Sequence, residues 1–536
     1  MIDANPYRPA GYNDATSVLV VGGSLVGLSM ATFLAWHDVP VILVERHPGT
    51  SPHPRAVGYT PRTMELLRSV GIQDQIPEVP ADFTLLRARV ESLTGQWFGE
   101  PEWRSDQVDM ILPDYSISRG ATIAQDGMEP ILRRRALELG ADVRSNTELL
   151  SFCQHDDGVT ASVRPRDGAP YTIEARYLVA ADGASSGIRD ALGIAPQGHG
   201  CVRTVRSVLF RAPLDPYLKH GVSQYEIEQP DLKAFLTDYH DGRWALMFTD
   251  DLERNEAELR AAIDLAIGRS GLPVDIIASG TWELGALVAE RFSSGDVFLV
   301  GDAAHALPPA RGGFGANTGM ADAHNLAWKL GAVLAGTSTP ELLDSYDQER
   351  RPVAWQRHQQ MFARPDYQSA AQGGGQASAA HEPLIEDLAM EFGQLYASDI
   401  IIGADEDLPL ALTPEEWAGQ PGTRAPHLWL SREDKTISTL DLFGRPWVLL
   451  AMSDDWRDAV EDAVDELGTP LVCVHVGSDV RADDDANFRR AFGLGRTGAS
   501  LVRPDGYIAW RSADLPLDPS ETLTDALAVT SCADVD

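Results

Sequence analysis

The stretch VLVVGGSLVGL, Val18 to Leu28, confines the start of this chain to one kind of structure. An apolar, β-rich run from Ser17 to Val21 meets two glycines. Small and apolar residues compatible with a helix follow from Leu25 to Trp36, and Val39 to Val44 (VPVILV) reads as a second, parallel strand. Such a strand–turn–helix–strand unit of roughly 30 residues aims the free N–H groups of a helix N-terminus at a phosphate. The unit ends on Glu45, 18 residues after Gly27, where an acidic side chain accepts hydrogen bonds from a ribose. The nucleotide fingerprint G-x-G-x-x-G is nearly met, since the chain reads G-G-S-L-V-G from Gly22, with Ser24 in place of the second glycine. Serine is the smallest polar replacement there, and its hydroxyl is expected to donate to a phosphate oxygen. A perfect match, GLGRTG at Gly493 to Gly498, has a helix-like segment before it and a strand-like one after it. That order is wrong for a phosphate loop, so this copy reads as a connection.

Ser17 to Trp36 carries no charge and is long enough to span a bilayer. The glycines in its middle, the lack of a basic flank and the apolar strand that follows argue against a membrane span. At 536 residues the chain predicts roughly three domains. A net charge of −35 excludes non-specific binding to nucleic acid or anionic membrane. Four scattered cysteines, Cys153, Cys201, Cys473 and Cys532, give neither a disulfide framework nor a metal site and fit a reducing cytoplasm.

Two later segments follow the same logic. YLVAADGASSGIR sets Asp182-Gly183 after an apolar strand, and DVFLVGDAAHALPPARGGFGANTGMADAHNLAWKL sets Gly301-Asp302 after another. Together with the opening loop, these resemble the FAD-dependent aromatic hydroxylases, the single-component flavoprotein monooxygenases related to p-hydroxybenzoate hydroxylase and phenol hydroxylase. The resemblance covers most of residues 17 to 365 and looks nearest to hydroxylases of aromatic polyketides of the anthracycline type.

The resemblance implies an FAD held by Gly22, Gly23, Ser24, Leu25, Val26, Gly27, Glu45, Arg46, Arg55, Gln125, Asp182, Gly301, Asp302, Pro309, Gly312, Gly313, Gly315, Ala316 and Asn317. Asp302, at a strand end, is suited to the ribityl hydroxyls, and the helix opening near Asn317 to the anionic reduced flavin. Pro309 is expected beside the flavin ring where oxygen reacts, and Tyr225 against the substrate ring. The spacing after His305 is one residue longer than in common members, which shifts the alignment of Pro308, Pro309 and Arg311. The implied chemistry is reduction of FAD by NADPH (or NADH), capture of O2 as a flavin C4a-hydroperoxide and hydroxylation of a polycyclic aromatic substrate.

The expected fold is α/β. A Rossmann-like FAD-binding domain (1–75, 120–197 and 286–365) takes an inserted β-sheet substrate domain (76–119 and 198–285). A linker (366–384) leads to a thioredoxin-like C-terminal domain (385–536) that lacks C-x-x-C. The chain reads as a cytoplasmic monomer or homodimer with no metal. Three alternatives stay open: a catabolic hydroxylase of a simple phenol, Baeyer–Villiger insertion on a polyketide quinone, and a flavin-binding reductase or non-catalytic scaffold.

Overall fold

The protein is described from a computed structural model covering residues 14–51, 56–81, 83, 86–99, 110–219, 221–307, 314–363, 383–404 and 407–534. The fold is α/β. Its spine is a parallel sheet in the order Val297–Leu299, Tyr171–Ala180, β1 (Asp14–Val21), β2 (Val41–Glu45) and Asp142–Ser145. Both faces of such a sheet are covered, so its strands read as continuous apolar runs; Val18, Leu19 and Val20 are fully buried.

Helix α1 (Leu25–Trp36) crosses from β1 to β2 and is buried from Leu25 to Ala35, with Val26 the half-buried exception. This accounts for the long uncharged run without a membrane, because α1 lies wedged between two other helices and the sheet. Its two hydroxyls are spent inside the helix, Ser29 on Leu25 O (2.7 Å) and Thr32 on Leu28 O (2.7 Å). Among the described residues no helix is long and apolar enough to cross a membrane.

Helix α2 (Pro61–Ser69) follows a short strand at Gly58–Tyr59, and α3 (Gln125–Glu138) packs on α1. The short α4 (Gly187–Ala191) follows the Asp182 turn. A second, mostly antiparallel sheet runs His305–Ala306, Asp275–Ala289, Pro196–Arg211, Arg243–Phe248, Lys233–Asp238, Val222–Glu228 and Leu86–Val90. Helix α5 (Glu256–Ile267) covers one of its faces, burying Val208, Phe210, Tyr225, Leu236 and Leu246 against Leu259 and Ile263. The other face meets the first domain, where Leu209, Tyr239 and Ala245 cluster with Ala124.

Helices α6 (Phe314–Leu334) and α7 (Asp344–Ala363) close the first domain. The C-terminal unit has a four-stranded sheet ordered Leu471–His475, Trp447–Ala451, Ala499–Val502 and Ile508–Ser512, with helices Trp456–Leu467 and Pro519–Ser531 packed together. This is a thioredoxin-like arrangement, and its two cysteines, Cys473 and Cys532, are free. Gly493 caps helix Asp485–Phe492 and leads into strand Ala499–Val502, so the perfect glycine pattern is indeed a connection. Most of the linker segment lies outside the described residues.

Candidate active site

The three motifs meet. Strand order places β1 beside Tyr171–Ala180 and that strand beside Val297–Leu299, all parallel, with Ala180 level with both Val21 and Leu299. The turns at Gly22, Asp182 and Gly301 therefore leave the sheet at the same edge, where ligands of open α/β sheets bind.

Close packing explains two of the glycines. Gly22 has φ +108°, and a Cβ there would stand 2.2 Å from Ala181 O. A Cβ on Gly27 would stand 1.9 Å from Gly22 O, so α1 could not approach the turn.

The residues present fit an FAD. Helix α1 starts at Ser24 with no side-chain cap and no acidic residue in its first turn, which leaves its positive end for an anion. Glu45 Oε2 accepts from Gly23 N at 2.6 Å, and its Oε1 accepts from His47 N at 2.7 Å, so the acidic residue ending β2 stands beside the loop. Asp182 Oδ1 is buried without a partner among the described residues, an acceptor suited to a ligand hydroxyl. Asp302 is exposed at the end of its strand and faces the first turn of α6; a Cβ built on Gly315 would lie 3.9 Å from Asp302 Oδ1. The first turn of α6 also lacks an acid.

Asn317 ties that turn to the strand before α2: it accepts from Thr60 N (3.2 Å), and its Nδ2 donates to Gly58 O (3.3 Å). Leu25 is buried, Val26, Gly315 and Ala316 are half-buried, and Arg46 is exposed beside Glu45. Arg55, Pro309, Gly312 and Gly313 lie outside the described residues.

Ser24 does something the sequence did not foretell. Its Oγ donates to Glu129 Oε1 (2.8 Å) and accepts from Gln125 Nε2 (2.9 Å), while Gln125 also donates to Glu129 (2.7 Å). The hydroxyl expected to reach phosphate is thus engaged within the protein. Gln125, which the resemblance assigns to the FAD chain, stands beside the loop and donates to Ser24.

Behind the site lies a buried charge network. Asp322 of α6 accepts from Gly301 N (3.2 Å) and from Arg350 Nε (2.7 Å), and lies 2.5 Å from His305 Nε2. Burial alone would raise the Asp322 carboxyl; His305 and Arg350 overcome it and hold it below the usual value. His305 is therefore a structural brace between the glycine turn and α6. His324 is half-buried with its ring edge-on to Phe33, and desolvation pushes it down to about 3.

Tyr225 is not brought to this side. It is level with Leu236, which is level with Leu246, and all three belong to the apolar layer under α5. Its hydroxyl donates to Val222 O (2.7 Å), and burial raises its phenol. The alternation VSQYEIE identifies a strand with two faces but not which face looks at the flavin. The row level with Leu209 and Ala245 holds Thr237 and Gln224, so Gln224 and Glu226 share the face turned to the first domain. Arg87 of the neighbouring strand joins them, donating from Nη2 to Gln224 Oε1 (3.0 Å) and from Nη1 to Glu226 Oε1 (3.2 Å) with its guanidinium over Phe235. These residues and Glu129 carried no motif by which the sequence could single them out.

Comparison with known proteins matches this arrangement. Residues 15–361 match the FAD binding domain family, and residues 418–530 match the family described as aromatic-ring hydroxylase, C-terminal. The chain belongs to the FAD-dependent aromatic-ring hydroxylases. This hydroxylase is 39% identical to 4-methyl-5-nitrocatechol 5-monooxygenase of a Burkholderia species, over 96% of this chain and 97% of the relative. It is 37% identical to aklavinone 12-hydroxylase of Streptomyces purpurascens, over 95% of this chain and 98% of the relative. Among solved structures, a ternary complex of aklavinone-11 hydroxylase with FAD and aklavinone has a TM-score of 0.86 at 35% identity, covering 96% of the hydroxylase and 99% of that chain. The hydroxylase is accordingly an FAD-dependent aromatic monooxygenase, with a reduced nicotinamide and O2 as co-substrates.

Proposed function

We propose that this hydroxylase oxygenates a polycyclic aromatic substrate of the polyketide type, using NADPH. The observation that carries the reading is that the likeness to aklavinone hydroxylases runs through the second sheet and the C-terminal unit as well as the FAD segments. A likeness confined to the cofactor segments would say nothing of substrate.

FAD, when bound, supplies hydride acceptance from NADPH and activation of O2, from which one oxygen atom goes to the ring and the other leaves as water. The chain's own residues do the rest. Asp302 and Asp182 would accept hydroxyl hydrogen bonds from the cofactor chain, and the first turns of α1 and α6 would offset its negative charge. The sheet face bearing Leu209, Ala245, Thr237 and Gln224 turns to the first domain, where Leu209 and Ala245 pack with Ala124 and exclude water. Arg87 holds Gln224 and Glu226 in place to orient polar groups on the substrate. Tyr225 is then a positioning residue of the same strand, its side chain packed on the opposite face. Pro309 is assigned to the flavin ring edge by resemblance alone.

A second reading, a single-ring catechol as substrate, is favoured by the nitrocatechol monooxygenase's identity over the whole chain. The experiment is to supply NADPH, O2 and either tetracyclic hydroxyquinones or substituted catechols and phenols, and to identify products by mass. Stimulated NADPH oxidation with a gain of one oxygen on the polycyclic compounds supports the proposal. Turnover of the catechols alone overturns it, and NADPH consumption with no oxygenated product from any ring overturns both readings.

A further inference from the structure

Glu129 lies in the second turn of α3, almost fully buried, with one carboxylate oxygen 2.8 Å from the hydroxyl of Ser24, the residue at the N-terminal end of α1. That end is where the cofactor site proposed above would hold the pyrophosphate of FAD. A charged Glu129 and the pyrophosphate would thus be two anions competing for one helix terminus. No cation touches Glu129 among the described residues. Its hydrogen-bond partners are the neutral Ser24 and Gln125, and the carboxylates of Glu45 and Asp126 act on it through space. Asp126 is occupied by Arg243, through hydrogen bonds of 2.6 and 3.0 Å, and Glu45 by Gly23 N and His47. A further titratable neighbour, Tyr59, is fully buried and stays neutral because burial raises its phenol.

We propose that FAD binding is coupled to uptake of one proton at Glu129, with Ser24 as the switch. When Glu129 is a carboxylate, the Ser24 hydroxyl donates to it and presents no hydrogen to the cofactor. When Glu129 carries a proton, it donates to Ser24 Oγ, which still accepts from Gln125 through its second lone pair. The Ser24 hydrogen is then free to turn to a phosphate oxygen. One proton enters with each FAD and leaves with it; no bond to carbon or phosphorus changes. Burial, and then the Glu45 and Asp126 charges, push the Glu129 carboxyl above the usual range, against the hydrogen bonds from Gln125 and Ser24. The serine that breaks the glycine fingerprint thereby acquires a role that glycine lacks.

The inference rests on FAD binding by this chain and not on which ring it oxidises. The test follows release of FAD from the diluted holoenzyme by flavin fluorescence, from about pH 6 to about pH 9. The wild-type Kd should rise with pH, towards a limit of about tenfold per unit for one linked proton. Glu129→Gln, neutral at every pH, should bind FAD with a markedly flatter profile, whereas Glu129→Asp should keep the slope. Any other titrating group acts equally in all three proteins, so the difference between profiles isolates Glu129. Parallel wild-type and Glu129→Gln profiles overturn the proposal. Should Glu129→Gln fail to fold, proton release by the wild-type holoenzyme on losing FAD, read with a pH indicator in weak buffer, decides instead. A release approaching one proton per FAD supports the coupling, and none overturns it. Failure to bind FAD at any pH would instead refute the assigned cofactor site.

Discussion

Arg503, in the turn between the last two strands of the C-terminal sheet, forks onto Glu349 of α7, with Nη1 2.5 Å from Oε1 and Nη2 3.0 Å from Oε2, and both side chains are fully buried. The same carboxylate accepts from Lys329 (2.8 Å) and Asn325 (2.7 Å) of α6, the helix whose first turn faces Asp302. Arg503 also pairs with Asp505. Two cations thus face two anions, and the C-terminal unit completes the charge balance beneath the helix that opens on the cofactor. The carboxyl of Glu349 is held well below its usual range by Arg503 and Lys329 despite its burial, while burial pushes Lys329 down to about 8.

Replacing Arg503 with Met removes one cation and leaves an uncompensated buried anion. A loss of about 3–5 kcal/mol is expected, because breaking a buried pair strands its partner. Denaturant unfolding of the holoenzyme measures it, and Arg503→Lys should lose less. A change below about 1 kcal/mol for Arg503→Met would mean that the unit is not coupled to α6 through this pair.

Arg243 links the second sheet to α3. It is bidentate to Asp126, the neighbour of Gln125, and its Nε donates to Asp241 (2.8 Å). Asp126→Asn should keep the fold but weaken this link by about 1–3 kcal/mol. The expected readout is a larger share of NADPH oxidised without product, with kcat for NADPH oxidation changed less than product yield.

Acid should destabilise the protein through histidines that the fold holds neutral, His358 and His427 buried and His37 and His324 half-buried. Burial pushes His37, His358 and His427 down to about 4 and His324 to about 3. Their unfolded values lie near 6.5, so below that pH the unfolded chain binds more protons than the native one. Stability is therefore present above about pH 6.5 and is lost as pH falls towards 4, by up to about 1.4 kcal/mol per pH unit for each histidine. Urea unfolding at a series of pH values measures the slope, and His324→Gln should reduce it by one proton's worth.

The cofactor loop was legible because its physics is local. A strand, a glycine turn and a helix follow one another within residues 14–36, and an acidic residue ends the next strand. Strand adjacency brings the Asp182 and Gly301 turns beside it, and each turn announces itself by an apolar run before an acidic or glycine residue. The helix-then-strand order around Gly493 was legible for the same reason. What the sequence leaves open is phase and distant pairing. Gln224 and Tyr225 are adjacent in the chain but face opposite layers, and only the register with Thr237 and Ala245 decides which one faces the first domain. The Ser24–Glu129 bond spans 105 positions and the Arg503–Glu349 pair 154, with no periodicity to connect either.

The central claim is that one FAD lies along the three adjacent strand ends, with Asp302 holding its chain. The most direct measurement is FAD stoichiometry and Kd for the wild type and Asp302→Ala at one fixed pH. One FAD per chain is expected in the wild type, and binding at least about tenfold weaker in the variant, through the loss of hydrogen bonds to a charged acceptor. A folded Asp302→Ala protein that keeps its FAD with unchanged affinity would contradict it.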